Sequence, residues 1–155
     1  MATRIPEPHL DAWRALLNAH AALTESVERA LREAGLPPLA WYDVLWALRR
    51  APDWRLRMGE LAANVTLSRG GLTKLVDRLE AAELLRREPC ASDRRGFHAV
   101  LTDAGATMLR RIWPIYAAVL EEELVSALSE NEAAALADAL RRLSRGPAVA
   151  TAAVV

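Results

Sequence analysis

Leu10, Leu17, Thr24 and Leu31 recur every seven residues, and Trp13, His20, Val27 and Ala34 form a second row beside them. Together they predict an apolar stripe along one long helix, ended by Gly35 and the Pro37-Pro38 pair. Such a stripe needs a partner, either the rest of the fold or a second copy of the chain. The stretch from Leu39 to Arg50 predicts a second helix, with Trp41, Leu45 and Leu48 along one side, Tyr42 and Trp46 beside them, and Pro52 as its stop. The run PDWRLR reads as a loop, and Met58 to Asn64 as a short helix with Leu61 and Ala62 inward. Ser68 suits the N-cap of a helix ending near Ala82, in which Leu72, Leu75, Val76 and Leu79 fall at i, i+3, i+4 and i+7.

The pattern then changes period. Leu84 to Glu88 reads as a short strand, Pro89 to Gly96 as a charged turn and Phe97 to Leu101 as a returning strand, the one hairpin in the chain. Thr102 is placed to cap the next helix, with Asp103 in its first turn. That helix carries Leu109, Ile112, Trp113, Tyr116, Leu120 and Leu124 on its apolar side, and Pro114 is expected to kink it. Ser129 and Glu132 form a capping box for a last helix with Leu136, Leu140 and Leu143; Gly146-Pro147 closes it, and residues 147–155 read as a weakly ordered tail or one docked on a neighbour.

Composition narrows the function classes. The 155 residues make one domain's worth of chain, and 52% are apolar, as in a globular protein. No stretch approaches a membrane span, the N-terminus has no apolar leader, and one cysteine, Cys90, fits a reducing cytoplasm. His9, His20 and His98 are dispersed, with no metal-ligand spacing, and there is no phosphate-binding glycine loop and no nucleophile beside a base. These absences argue against an enzyme, a metal site or a cofactor. The 20 Lys and Arg balance the 20 Asp and Glu, which on its face argues against nucleic-acid binding.

The order of elements argues the other way. Helix, turn, helix and hairpin make a winged helix-turn-helix, mainly α with a small β-hairpin wing, in which the second helix of the pair enters a major groove and the hairpin tip reaches the adjacent minor groove. Ser68, Arg69, Gly70, Gly71, Thr73 and Lys74 open the recognition helix. Arg69 offers a fork to guanine O6 and N7. Ser68 and Thr73 reach phosphates or base edges, and the glycine pair leaves room for a close approach. Arg94 and Arg95 beside Gly96 suit a narrow A·T minor groove, with Asp93 placed to hold an arginine extended. Arg78, Arg86 and Arg87 are weaker candidates, as are Arg55 and Arg57 for phosphates.

The run Asp93-Arg94-Arg95-Gly96-Phe97-His98-Ala99-Val100-Leu101-Thr102 resembles the Asp-x-Arg-(five residues)-Leu-Thr wing signature of the multiple-antibiotic-resistance regulator (MarR) family. Leu72 to Glu80 is similar to that family's recognition helix, and Tyr42-Asp43-Val44-Leu45 to its second helix. The resemblance covers about residues 10 to 145. It implies a winged DNA lobe over 39–102, a dimerisation lobe from 9–36 and 103–146, a homodimer on a pseudo-palindromic operator of double-stranded DNA, and a crevice between lobes for small aromatic or phenolic anions. Where the family commonly has glycine after the recognition helix, this chain has Glu83, which bears a backbone cost of about 1 kcal/mol if that site is left-handed.

Trp13, His20, Trp41, Trp46, Trp113 and Tyr116 are the candidates to wall such a crevice. The resulting expectation is a cytoplasmic, homodimeric regulator, a repressor released from DNA by a small ligand. Two alternatives stay open: a winged-helix protein-interaction module, and redox sensing through Cys90 among the arginines of the wing. The zero net charge itself resolves into a polarity. From Arg49 to Thr102 there are 11 Arg and Lys against 7 Asp and Glu, whereas acids exceed bases in the segments on either side.

Overall fold

The computed structural model describes residues 4–65, 69–90 and 93–143, and of Arg69, Asp93, Arg94 and Arg95 the backbone alone. The expected capping by Ser68, the turn at residues 91–92 and the tail from residue 147 lie outside the described residues. The helices are α1 (Glu7–Glu33), α2 (Leu39–Arg50), α3 (Met58–Asn64), α4 (Arg69–Ala81), α5 (Asp103–Leu120) and α6 (Glu130–Leu143). The strands are β1 (Arg55–Arg57), β2 (Leu85–Cys90) and β3 (Asp93–Leu101).

The long helix α1 ends as its glycine predicts. Gly35 takes φ +66, while Gly35 N–H donates to Arg32 O at 3.0 Å and Leu36 N–H to Leu31 O at 2.8 Å. Those two bonds satisfy carbonyls that the last turn leaves open. Pro38 has no N–H to offer at the start of α2, and Leu39 N–H is taken by Glu28 Oε1 of α1 at 3.1 Å. The apolar stripe of α1 divides in two. Val27 and Leu31 are buried in the chain's own core, whereas Trp13 is 58% exposed and Leu17 and His20 are also exposed.

The PDWRLR run is a tight turn followed by a strand rather than a loop. Asp53 and Trp54 both take left-handed φ, 53 and 56, and Arg55 N–H closes onto Pro52 O. Two consecutive positive-φ residues give the mirror-image turn that matches strand twist, and the chain passes directly into β1. The Arg49 guanidinium sits 4.5 Å from the centre of the Trp54 ring and covers it. The wing is therefore part of a three-stranded antiparallel sheet in the order β1-β3-β2, with Arg55 opposite Val100 and Arg86 opposite Val100 on the other side. Its strands also reach further than the pattern suggests. Pro89 to Gly96 belongs to β2 and β3 apart from residues 91 and 92. Proline is tolerated there because β2 is an edge strand, and the register shifts at Pro89 and Cys90.

Leu31, Leu45, Leu61, Leu72, Leu79, Leu85 and Ile112 come from six elements and meet in one core. All four apolar positions read for α4 are buried. After α4 the chain turns through Glu83 at φ 60, and Leu84 N–H donates to Leu79 O at 3.0 Å. The site is left-handed, so Glu83 does bear the backbone cost. Thr102 caps α5 by accepting from Gly105 N–H at 3.0 Å, and its hydroxyl donates to Glu83 O at 2.7 Å. A Cβ on Gly105 would stand 2.1 Å from Leu84 O and 2.6 Å from Leu101 Cδ1. Helix α5 runs through Pro114 and passes into a π-turn over Glu121–Val125. The capping box of α6 is formed: Ser129 N–H donates to Glu132 Oε2 at 2.9 Å and Glu132 N–H to Ser129 Oγ at 3.4 Å. The hydrogen bonds from the Ser129 hydroxyl and backbone hold the Glu132 carboxyl below its ordinary range. Nothing on α6 is buried, and Leu143 is 69% exposed.

Gly105→Ala is expected to lower the unfolding free energy by about 3 kcal/mol or more, because the obstruction is backbone. Glu83→Gly is expected to raise it by about 1 kcal/mol. Urea unfolding followed by tryptophan fluorescence measures both, and a neutral Gly105→Ala would contradict the packing described.

Candidate nucleic-acid interface

The buried positions of α4 leave the opposite face to solvent. Gly70, Gly71, Thr73, Lys74, Asp77 and Arg78 are exposed along it. A Cβ at Gly70 would meet nothing within 4 Å, so the fold itself does not demand glycine there. The Arg69 side chain, like Ser68, lies outside the described residues. The acids of this helix are engaged by the wing. Arg87 of β2 donates through Nη2 to Asp77 Oδ1 at 2.6 Å and through Nη1 to Glu80 Oε2, and its backbone N–H donates to Glu80 Oε1 at 2.9 Å. A guanidinium holding two carboxylates on successive turns fixes α4 against the wing and offsets negative charge beside Lys74 and Arg78.

Asp93, Arg94 and Arg95 occupy the start of β3 rather than a loose turn; their side chains lie outside the described residues. Gly96 is half-buried and Phe97 is exposed. Cys90 is buried, with Sγ 3.1 Å from His98 Nδ1 across the β2–β3 pair. An imidazole beside a thiol is a pairing that the redox alternative can use, whereas burial of Cys90 works against access of an oxidant.

Of the six residues read as crevice walls, three gather. Trp46, Trp113 and Tyr116 surround Tyr42, with Tyr42 stacked on Trp46 at 6.0 Å and on Trp113 at 6.5 Å, and edge-on to Tyr116 at 5.2 Å. Trp41 is half-buried against the main core. Trp13 and His20 stand exposed on the outer half of α1, among none of these ring contacts. Tyr42 is the member that sequence reading missed as a wall; its spacing of four from Trp46 on α2 was the available signal. Burial, then the neighbouring Tyr116 and Asp43, push the Tyr42 phenol up to about 12. Burial and Asp43 likewise raise Tyr116, and burial and Glu28 raise Asp43. The charged group acting on both tyrosines is the Asp43 carboxylate.

A helix clamped to a three-stranded antiparallel sheet and preceded by a short helix is the arrangement of a winged-helix protein. A MarR family model matches residues 34–96. The chain is 31% identical over 137 residues to the HTH-type transcriptional regulator MhqR of Bacillus subtilis (strain 168), covering 88% of this chain and 92% of that one. It superposes on AbsC, a MarR family transcriptional regulator from Streptomyces coelicolor, with TM-score 0.81 and 31% identity over 92% of this chain and 96% of that one. Sco3205 from the same organism, a MarR family regulator solved in complex with DNA, gives TM-score 0.84 and 30% identity over 93% and 90%. The chain belongs to the MarR family; it is a winged-helix transcriptional regulator, not an enzyme. Among the described residues no helix is long and apolar enough to cross a membrane.

A double-mutant cycle between Arg87→Met and Glu80→Gln, read by urea unfolding, is expected to show a coupling of about 1 kcal/mol. Additive effects would mean that the clamp contributes nothing.

Proposed function

We propose that the protein is a cytoplasmic homodimer that reads a pseudo-palindromic operator and acts as a repressor released by a small aromatic ligand. The observation that carries the DNA reading is the exposed face of α4, where Gly70, Thr73, Lys74 and Arg78 stand clear of the core while Arg87 ties up the two acids beside them. In this reading Ser68, Arg69, Gly70, Gly71, Thr73, Lys74 and Arg78 face the major groove, and Asp93, Arg94 and Arg95 serve the minor groove. Sco3205, solved with DNA, supports the same use of the fold.

The dimer reading rests on apolar side chains with no cover in a single copy: Trp13 and Leu17 of α1, Val125 of the π-turn, and Leu136 and Leu143 of α6. Large apolar side chains left without cover on these segments suit an association surface. Two such lobes place recognition helices in successive major grooves, about 10–10.5 bp apart. The effector reading rests on the aromatic cluster of Tyr42, Trp46, Trp113 and Tyr116, which joins α2 to α5. With the Asp43 carboxylate beside both tyrosines, this site suits a neutral ring better than an anion. A ligand that binds best when α2 and α5 hold the two reading heads out of register competes with DNA through one conformational equilibrium.

Selection from random duplexes is expected to return a palindrome, and no enrichment would overturn the DNA reading. On the selected duplex, Arg69→Ala is expected to cost about 1–3 kcal/mol and relax the preference at one base position. Gly70→Ala is expected to split two properties, adding up to about 1 kcal/mol of fold stability while weakening DNA binding roughly tenfold. A variant that binds as well as the unaltered chain would contradict the close approach. A screen of aromatic compounds by tryptophan quenching, followed by operator release, tests the effector; quenching without release would contradict the proposed competition.

A further inference from the structure

The sheet has two faces, and the groove contacts proposed above leave the second without a role, although Arg55, Arg57 and Arg86 on it are phosphate or DNA candidates by sequence. Strand alternation and register place Leu56, Leu85, Ala99 and Leu101 toward the core. The same alternation turns Arg55 and Arg57 of β1, Arg86 and Glu88 of β2 and His98 of β3 outward, from adjacent positions in the pairing. Arg55 and Arg86 flank Val100 from opposite sides, and Val100 is 6% exposed without belonging to the central core cluster. Glu88 holds both arginine heads: Arg86 Nε donates to its Oε1 at 2.9 Å, and Arg55 Nη1 stands 3.6 Å from its Oε2.

We infer that this outer face of the sheet is a second DNA-binding surface, which takes phosphates of the duplex flanking the sequence read by α4 and the wing tip. The inference rests on the DNA reading proposed above. Charge supports it, since among the described residues Arg55, Arg57 and Arg86 share this face with Glu88, in a chain that is neutral overall. Pre-organisation supports it as well. Each guanidinium has five donors, and the bonds to Glu88 leave others on Arg55 and Arg86 to meet a phosphate fork. Continuity is the third argument, because the strands that form this face are those that carry the wing, so a duplex touching the tip continues along the strands.

The test uses a duplex recovered by random selection in two lengths, one trimmed to its protected core and one extended by about one helical turn on each side. The unaltered chain is expected to bind the longer duplex several-fold more tightly. The Arg55→Gln, Arg86→Gln double variant is expected to abolish that preference and to keep its affinity for the core. It is also expected to flatten the dependence of log K on log salt for the longer duplex, by about 0.9 for each phosphate no longer neutralised. Glu88→Gln removes the acid that holds Arg55 and Arg86 and is expected to strengthen the preference for the longer duplex, a sign that damage to the sheet does not produce. Core binding with no dependence on flank length overturns the inference alone, and is the result expected if the face serves an acidic protein instead. Failure to bind either duplex overturns the DNA reading and this inference together.

Discussion

The carbonyl of Leu84 is the point on which the arrangement turns. It accepts the Thr102 N–H at 3.2 Å and leaves no room for a Cβ on Gly105. The hydroxyl of Thr102 meanwhile bonds the carbonyl of Glu83. The end of the reading helix, the root of both wing strands and the first turn of α5 are therefore in direct contact. Packed interiors transmit displacement because they have little free volume. A change in the direction of α5 thus displaces α4 and the wing as a unit. This gives the proposed effector a physical route, since Trp113 and Tyr116 stand on α5 and contact Tyr42 of α2.

Arg87 makes the reading head rigid on its other side. Its side chain is 23% exposed, so its bonds to Asp77 and Glu80 are less screened than those of a surface pair. It also settles an electrostatic difficulty. Asp77 lies on the same exposed face of α4 as Lys74 and Arg78, and an unpaired carboxylate there would repel a phosphate backbone. Engaging it from the wing leaves the cations dominant on that face. The polarity seen along the chain thus has a local counterpart, in which acids of the winged segment are held by arginines, as Glu88 is by Arg55 and Arg86.

The helices were legible because their signals are local. Leu72, Leu75, Val76 and Leu79 show the period of a helix face, Ser129 and Glu132 spell a capping box, and Gly35 marks a left-handed stop. Glu83 was legible through the glycine it replaces in the family pattern. Strand β1 was not. Three residues, Arg-Leu-Arg, are too few to show alternation, and they become a strand only by pairing with β3, far along the chain. Their entry turn uses left-handed Asp53 and Trp54, where a sequence reading looks for glycine or asparagine. The charged run from Pro89 to Gly96 looked like a turn because its residue types favour turns, yet pairing carries the strands into it. The crevice was legible only in part. Periodicity shows which aromatics share a helix face, but which faces meet depends on packing between α2 and α5, so Trp46, Trp113 and Tyr116 came together while Trp13 and His20 did not.

A neutral protein that binds DNA must do so with charges concentrated in one place. The excess of Arg and Lys between Arg49 and Thr102, on the winged segment, is that concentration. The most direct measurement is the salt dependence of binding to a selected duplex. The account predicts a steep linear fall of log K with log salt, at about 0.9 for each phosphate neutralised, despite zero net charge. A slope near zero would contradict it, because binding to DNA would then not depend on the placed cations of α4 and the wing.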